Sequence, residues 1–404
     1  MSLIPEIRIA DFTYQLPEDK IALYPLPQRD ESKLLVYKDG CIEDSKFLHL
    51  DQYLPKGASI FFNQSKVVFT RLFFEIRSGQ RPVEIFCLEP ADGQELYTAL
   101  SSRKHVKMLC MVGRAKKWKD HSISMQIPHN KGITTLYATK ISRKGAVFEI
   151  LFEWDDDMSF AEILELAGHV PLPPYIRRLD DELDKRRYQT IYAQVEGSVA
   201  APTAGLHFTD RVFNLLKEKN ISFHFLTLHV GAGTFAPVKS EYISGHKMHG
   251  ELIEIRPGLL KAMLDSPFKV AVGTTSLRTL ESIYHLGIRT LLSKNLSADE
   301  LEQWCGFTHP KNIDFKQSIE TLLEYFDKKN IQSLKLKTQL IIAPGYKIRT
   351  IDALITNFHQ PSSTLLLLVS AVTGGRWKEI YNHALSCDYR FLSYGDSSLL
   401  FIHH

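Results

Sequence analysis

The sequence predicts an α/β fold with a mostly parallel sheet, preceded by a β-rich region that reads as a small barrel or sandwich. Three observations carry this. After Trp154, strand-like and helix-like segments alternate, as successive βα units do. Between about Val67 and Trp154, short β-branched and aromatic runs follow one another with little helical periodicity. Near the C-terminal end, "SSTLLLLVSAV" is a helix with no polar face, which must be buried against a sheet.

The elements follow in order. "KLLVY", "ASIFFN", "PVEIFCLE" and "AVFEILFEW" are strand candidates, and "KDG" and "ADG" are turns between such runs. "DDDMSFAEILELAGH" opens with acids and continues with Ile163, Leu164 and Leu166, as a helix start does. "FTDRVFNLLKEKN" offers Thr209 as N-cap and Val212, Phe213, Leu215 and Leu216 as an apolar stripe. "SFHFLTLHV" is a strand. "KVAVGTTSLRTLESI" is a strand, a tight turn and a helix. "QLIIAP" and "DALITNF" are further strands. Residues 282–337, with "LSADELEQWCGF" and "FKQSIETLLEYFDKK", read as an added helical unit on the surface.

A chain of 404 residues exceeds what one core usually serves, so two domains are expected. No apolar run is long enough to span a bilayer, and the N-terminus lacks a signal-peptide pattern, so a cytoplasmic location without membrane contact is expected. The net charge of +3 permits an anionic partner without demanding one. The cysteines at 41, 87, 110, 305 and 387 form no CxxC, so neither a zinc knuckle nor a disulfide framework is suggested, and they read as buried reduced thiols.

Four turn-like stretches share one pattern: a strand, then small or hydroxyl residues, then a polar or histidine residue. They are "APTAGLHF", "LHVGAGTFAP", "AVGTTSLR" and "ITNFHQPSST". Each alone fits a loop packed against its neighbours. Four together, at the carboxyl ends of strands in an open sheet, predict a ligand pocket with accessible backbone amides. "GAGTF" lacks the GxGxxG spacing and no GxxxxGK[ST] occurs, so dinucleotide and nucleotide-phosphate readings lose support. His207, His229, His249 and His359 stand in or beside these turns and are candidates for proton transfer. "GHKMHGE" brings His246, His249 and Glu251 close in sequence, but HExxH is absent and no metal is expected. Residues 101–119 hold seven Lys or Arg and no acid, which reads either as a solvated strand face or as a phosphate-backbone contact with Trp118 free to stack. "RRLDDELDKRR" balances its charges and reads as a salt-bridged surface segment.

Taken in order, "LPEDKIALYPLPQRDESKLLV", "GHVPLPPYIRR", "RYQTIYAQVEGSVAAPTAGLHFT", "LHVGAGTFAPV", "MHGE", "AVGTTSLRTLES", "APGYKIRTIDALITNFHQPSSTLLLLVSA" and "YRFLSYGD" resemble the S-adenosylmethionine:tRNA ribosyltransferase-isomerase family of queuosine biosynthesis. The resemblance runs nearly end to end. It implies a discontinuous α/β catalytic domain, residues 1–66 and 155–404, carrying an inserted small β-barrel, residues 67–154. It also implies transfer and isomerisation of the ribosyl group of S-adenosylmethionine onto 7-aminomethyl-7-deazaguanine in tRNA. The products are epoxyqueuosine, adenine and methionine. S-adenosylmethionine is then a consumed substrate, no separate cofactor is needed, tRNA is the partner, and a monomer is expected.

Within that chemistry His207, His249 and His359 are expected to be catalytic. Thr203, Gly205, His229, Gly231, Gly233, Thr234, Glu251, Thr274, Thr275, Arg278, Asn357 and Asp396 are expected to bind substrate. Lys104, Arg114, Lys116 and Lys117 are expected to contact tRNA. Asn63 and Arg71 match the family pattern ahead of the barrel, whereas Gln64, Ser65, Lys66, Ala236, Gln360 and Ser362 depart from it. These departures leave two other readings open: a transferase that consumes S-adenosylmethionine on another acceptor, and a non-catalytic RNA-binding paralog.

Overall fold

The computed structural model describes residues 4–76, 79–94, 96–119, 121–231, 238, 240–293 and 300–402. The centre of the main sheet is four parallel strands, in the order Ser222–His229, Ser59–Asn63, Lys269–Val272 and Ala353–Asn357. Ser59–Asn63 and Ala353–Asn357 are buried at every position. Such strands are covered on both faces, which is why they read as continuous apolar runs.

Their side chains still alternate. Phe61, Ala271 and Leu354 join a core with Leu277, Leu280, Ile319, Leu366 and Ile380 from the helices Thr274–Ser293, Phe315–Lys329, Thr364–Val372 and Trp377–Ser386. Ile60, Phe62, Val270, Val272 and Ile355 face the other way, onto Val212 and Leu216 of the helix Asp210–Glu218. Thr209 caps its helix as the sequence predicts, accepting from the Val212 amide, and Ser363 caps Thr364–Val372 by accepting from the Leu366 amide.

The flanks of the sheet are mixed. Glu251–Ile255 and Leu334–Thr338 add antiparallel on one side. Ser397–Phe401 adds antiparallel on the other, followed by Lys33–Lys38 in parallel and Cys41–Lys46 as its hairpin partner. Two expectations change here. "QLIIAP" is extended chain just past the strand Leu334–Thr338, not a strand itself. In "LSADELEQWCGF", residues 296–299 lie outside the described residues. Beyond them the chain forms the short strand Glu300–Leu301 and a single helical turn, Cys305–Thr308. The other half of that unit is a helix, Phe315–Lys329, capped by Asp314 and packed on Thr274–Ser293.

The second sheet is antiparallel, in the order Arg71–Phe74, Val83–Pro90, His105–Gly113, Val147–Trp154, Gly132–Lys144 and Ser122–His129. Its first and last strands lie against each other, so the sheet nearly closes into a barrel. Leu72, Phe74, Ile85, Met108, Leu136, Ile150 and Phe152 fill it. Phe160, Ile163 and Leu164 of the helix Phe160–Ala167 pack onto the same core, and Ser159 with Glu162 forms a capping box at its start.

Trp118 belongs to this core too. It is 2% exposed, with the Lys140 ammonium 4.8 Å from its ring centroid. It offers no face to a base, which corrects the expectation that it stacks. Among the described residues no helix is long and apolar enough to cross a membrane.

Candidate active site

A cavity of ≈ 390 Å³ opens at the carboxyl ends of the central parallel strands. Its wall takes Ala200, Ala201, Pro202, Thr203 and Ala204 from the small-residue run, and Val230 from the end of Ser222–His229. Gly273, Thr274 and Thr275 follow Lys269–Val272, and Thr356, Asn357 and His359 end Ala353–Asn357. Gly273 has φ +84°, a conformation open to glycine, and this turn sends the chain from strand into helix. Thus "APTAGLHF", "AVGTTSLR" and "ITNFHQPSST" meet around one space. Of "LHVGAGTFAP", Val230 and Gly231 are described; Gly233, Thr234 and Ala236 lie outside the described residues.

A smaller chamber of ≈ 80 Å³ adjoins the first and shares Thr274, Thr275, Thr364 and Leu365 with it. His246, His249, Glu251 and Arg278 line it. Arg278 and Glu251 form an ion pair at 2.8 Å, and both are largely buried. The guanidinium also donates to the backbone oxygens of Thr338 at 3.0 Å and His249 at 3.3 Å. Burial pushes the Glu251 carboxyl up, while Arg278 and the Gly231 amide act to hold it ionised.

His207 stands behind the main cavity, not in its wall. It is 5% exposed and belongs to a hydrogen-bonded chain. Thr203 Oγ1 donates to Asn357 Oδ1 at 2.9 Å, Asn357 Nδ2 donates to His207 Nε2 at 3.2 Å, and His207 Nδ1–H donates to Ser32 Oγ at 2.8 Å. Burial pushes the imidazole down to about 3, so it is neutral near neutral pH and has a single ring proton. That proton faces Ser32 Oγ and the Arg29 backbone carbonyl, which leaves Nε2 to orient the Asn357 amide.

Among the described histidines His359 alone lines the main cavity. Its Nε2 is 2.9 Å from Thr356 Oγ1, and burial pushes it down to about 4. Its loop is held by backbone contacts: the His359 N–H donates to Tyr381 Oη, and Tyr14 Oη donates to the His359 carbonyl.

Four other expected substrate contacts, Gly205, His229, Gly231 and Asp396, line neither chamber. Gly205 is buried, and a Cβ there would meet Tyr192 Oη at 1.9 Å, so its small size serves packing. His229 packs over Gly197, where a Cβ would lie 2.7 Å from its Nδ1. The Asp396 carboxylate accepts from the Lys33 and Arg390 amides at 3.0 and 2.8 Å and fastens two chain segments. The wall also includes Tyr175, Tyr188 and Ser393, to which sequence reasoning assigned no role. "GHVPLPPYIRR" and "YRFLSYGD" carry Tyr175 and Ser393, so the signal was present in the ordered motifs.

Three of the departures from the family pattern, Gln64, Ser65 and Lys66, have structural partners. Ser198 Oγ donates to Ser65 Oγ at 2.8 Å, Gln64 Nε2 donates to Thr227 Oγ1 at 3.3 Å, and Lys66 pairs with Glu196 at 2.9 Å. Asn63, which keeps the pattern, donates to the Leu228 carbonyl and accepts from the Ser65 and Leu228 amides beneath the cavity floor.

A family model described as Queuosine biosynthesis protein matches residues 9–400. The chain belongs to this family. Among solved structures it is similar to an S-adenosylmethionine tRNA ribosyltransferase from Thermotoga maritima. The two are 24% identical over 96% of this chain and 99% of that one, with a TM-score of 0.45. Within this family member, three of the four small-residue turns converge on the cavity at the strand ends.

The neutral state of His359 gives a stability prediction. Its pKa is lowered on folding from 6.5 to about 4, so the unfolded chain binds the extra proton between these values. The stabilisation is complete above pH 6.5 and is lost as pH falls toward 4. Urea unfolding of the wild type and His359→Gln across this window should show their stability difference shrinking by on the order of 2 kcal/mol as pH falls. A difference constant with pH would show that His359 is not held neutral.

Proposed function

We propose that this chain transfers and isomerises the ribosyl group of S-adenosylmethionine onto 7-aminomethyl-7-deazaguanine in tRNA, releasing adenine and methionine. The observation that carries the reading is the convergence of three of the four family turns on one two-chambered site. S-adenosylmethionine is the consumed substrate, and its sulfonium supplies the activating charge, so the transfer itself needs no cofactor.

The main cavity suits the adenosyl part. Asn357, locked between Thr203 and His207, presents an oriented amide edge for hydrogen bonding to the base. His207 is then a positioning residue. His359 is neutral at the wall, and we assign it the acceptance of the ribose 5′ proton that the sulfonium acidifies, because among the described histidines it is the one that lines the cavity. The small chamber suits the amino-acid part: Arg278 matches a carboxylate, Glu251 an ammonium, and the Thr274 and Thr275 hydroxyls stand between the chambers. His249 borders this chamber rather than the reacting carbon.

Adenine release tests the assignment. Incubation with S-adenosylmethionine and the deazaguanine-bearing tRNA should release adenine, and omission of that tRNA should abolish release. Release with another acceptor would establish the alternative transferase, and no release with any acceptor would establish the non-catalytic reading.

The tRNA contact is proposed on the barrel. Lys104 and the group Arg114, Lys116 and Lys117 are exposed, but they sit at opposite ends of the strand His105–Gly113, about 30 Å apart. They form two separate basic points, and Lys116 and Lys117 share one exposed turn. Replacing both with alanine should weaken tRNA binding and make the log–log salt slope shallower by about one for each phosphate that no longer meets a lysine. Binding of S-adenosylmethionine should be unchanged. Superimposable salt curves for the two proteins would move the docking surface elsewhere.

A further inference from the structure

Away from the cavity, three potential metal ligands meet inside the added helical region. His285 lies on the helix Thr274–Ser293, Cys305 begins the turn Cys305–Thr308, and His309 comes directly after that turn. One ligand atom from each lies within 4.8 Å of the others. Cys305 and His285 are buried, and His309 is partly buried. The two imidazole Nδ1 atoms are 3.3 Å apart. Two nitrogens bound at about 2.0–2.1 Å to one tetrahedral ion stand about 3.3–3.4 Å apart.

The surrounding bonds assign the tautomer of His285. Tyr346 Oη donates to Glu281 Oε2 at 2.6 Å, so its lone pair must accept from His285 Nε2–H at 2.8 Å. His285 Nδ1 therefore carries a lone pair, directed at His309. The Glu281 carboxylate is itself held at Oε1 by the Arg349 and Thr350 amides and by Thr350 Oγ1. A metal-bound histidine usually donates its other N–H to such a fixed acceptor, and here Tyr346 and Glu281 supply it. The carboxylate of Glu302 and the guanidinium of Arg289 act on this cluster from outside with opposite sign.

We propose that His285, Cys305 and His309 form a three-ligand site for a zinc-class divalent ion, with water at the fourth position beside the partly exposed His309. One thiolate and two imidazoles suit Zn²⁺ over magnesium or calcium, which prefer oxygen ligands. On binding, the Cys305 S–H bond breaks, its proton leaves to solvent and a metal–sulfur bond forms. His285 is about 15 Å along its helix from Thr275, so the ion fastens the region around residues 300–309 to that helix and takes no part in the ribosyl chemistry. The expectation that the chain holds no metal ligands came from spacing. Cys305 and His309 are near in sequence, but the fold alone brings His285 to them.

Cobalt(II) titration of the chelator-treated full chain tests the site. Binding should reach one equivalent and produce thiolate-to-metal charge-transfer bands with tetrahedral visible bands, and Zn²⁺ should displace it. Cys305→Ser should abolish the charge-transfer bands, and His309→Ala should weaken binding by about tenfold or more. A second cluster, Asp44, His383 and Cys387, lies at the surface, so Cys387→Ser serves as the control and should leave the bands intact. Wild-type protein without a one-equivalent charge-transfer band would overturn the proposal, as would bands that depend on Cys387 instead of Cys305. In either case the approach of His285 and His309 is an ordinary imidazole–imidazole hydrogen bond. The wild-type titration decides this even where a variant does not fold.

Discussion

Replacing His359 with alanine is expected to slow adenine release by at least about a hundredfold, while S-adenosylmethionine binding changes by only a few-fold. The side chain has one hydrogen-bond partner, Thr356 Oγ1. The loop that carries it is fixed by the backbone bonds to Tyr381 and Tyr14, which alanine keeps. The substitution therefore removes the imidazole and leaves the wall in place. A proton acceptor must be unprotonated before it acts, and burial already holds this one near 4 in the free protein. Single-turnover measurement with saturating tRNA separates the chemical step from binding. A rate within a few-fold of wild type would assign the proton transfer to another group. His207→Ala should act differently, by releasing the Asn357 amide, and should weaken recognition of the adenosyl part as well as slow the reaction.

Arg278→Leu is expected to cost about 3–5 kcal/mol of stability and to raise KM for S-adenosylmethionine strongly. The loss has two sources. Glu251 is 6% exposed and burial already pushes its carboxyl up, so removing its cation leaves a buried charge unpaired. The two backbone oxygens of Thr338 and His249 lose their donor as well. The double variant Arg278→Leu with Glu251→Leu removes both charges and should recover much of the stability. Its KM should remain high if the chamber reads the amino-acid end of the substrate. Urea unfolding and substrate titration on the single and double variants give the two answers independently. Recovery of KM along with stability would show that the pair is structural and does not touch the substrate.

Much of the site was legible because its residues lie next to strong local signals. Thr203, Thr274, Thr275 and Asn357 each follow or end a strand with a recognisable small-residue turn, and in a parallel sheet such turns gather at one edge. His207 stands one layer deeper than its place in the chain predicts. Its position at the end of a bare run suggested exposure to ligand, whereas the 3-10 turn Thr203–His207 rotates it inward onto Ser32. Gly205 misled for a related reason, since a ligand and the Tyr192 ring ask for the same missing Cβ. Trp118 sits in a basic run, and no local pattern says that it turns into the barrel.

The sequence by itself determined the central strands, the main helices and the Thr209 cap, though not the extended course of "QLIIAP" or the short strand and single turn of "LSADELEQWCGF". Hydrophobic period, turn residues and N-cap side chains are local properties of the chain. Its ordered motifs also determined the family. Tertiary structure alone decided what faces what. The closure of the antiparallel sheet and the Arg278–Glu251 pair depend on contacts between residues far apart in sequence. So do the hydrogen-bonded chain from Thr203 to Ser32 and the meeting of His285 with Cys305 and His309. Such contacts form only when whole elements pack, and packing responds to shape and burial that no local window of sequence contains.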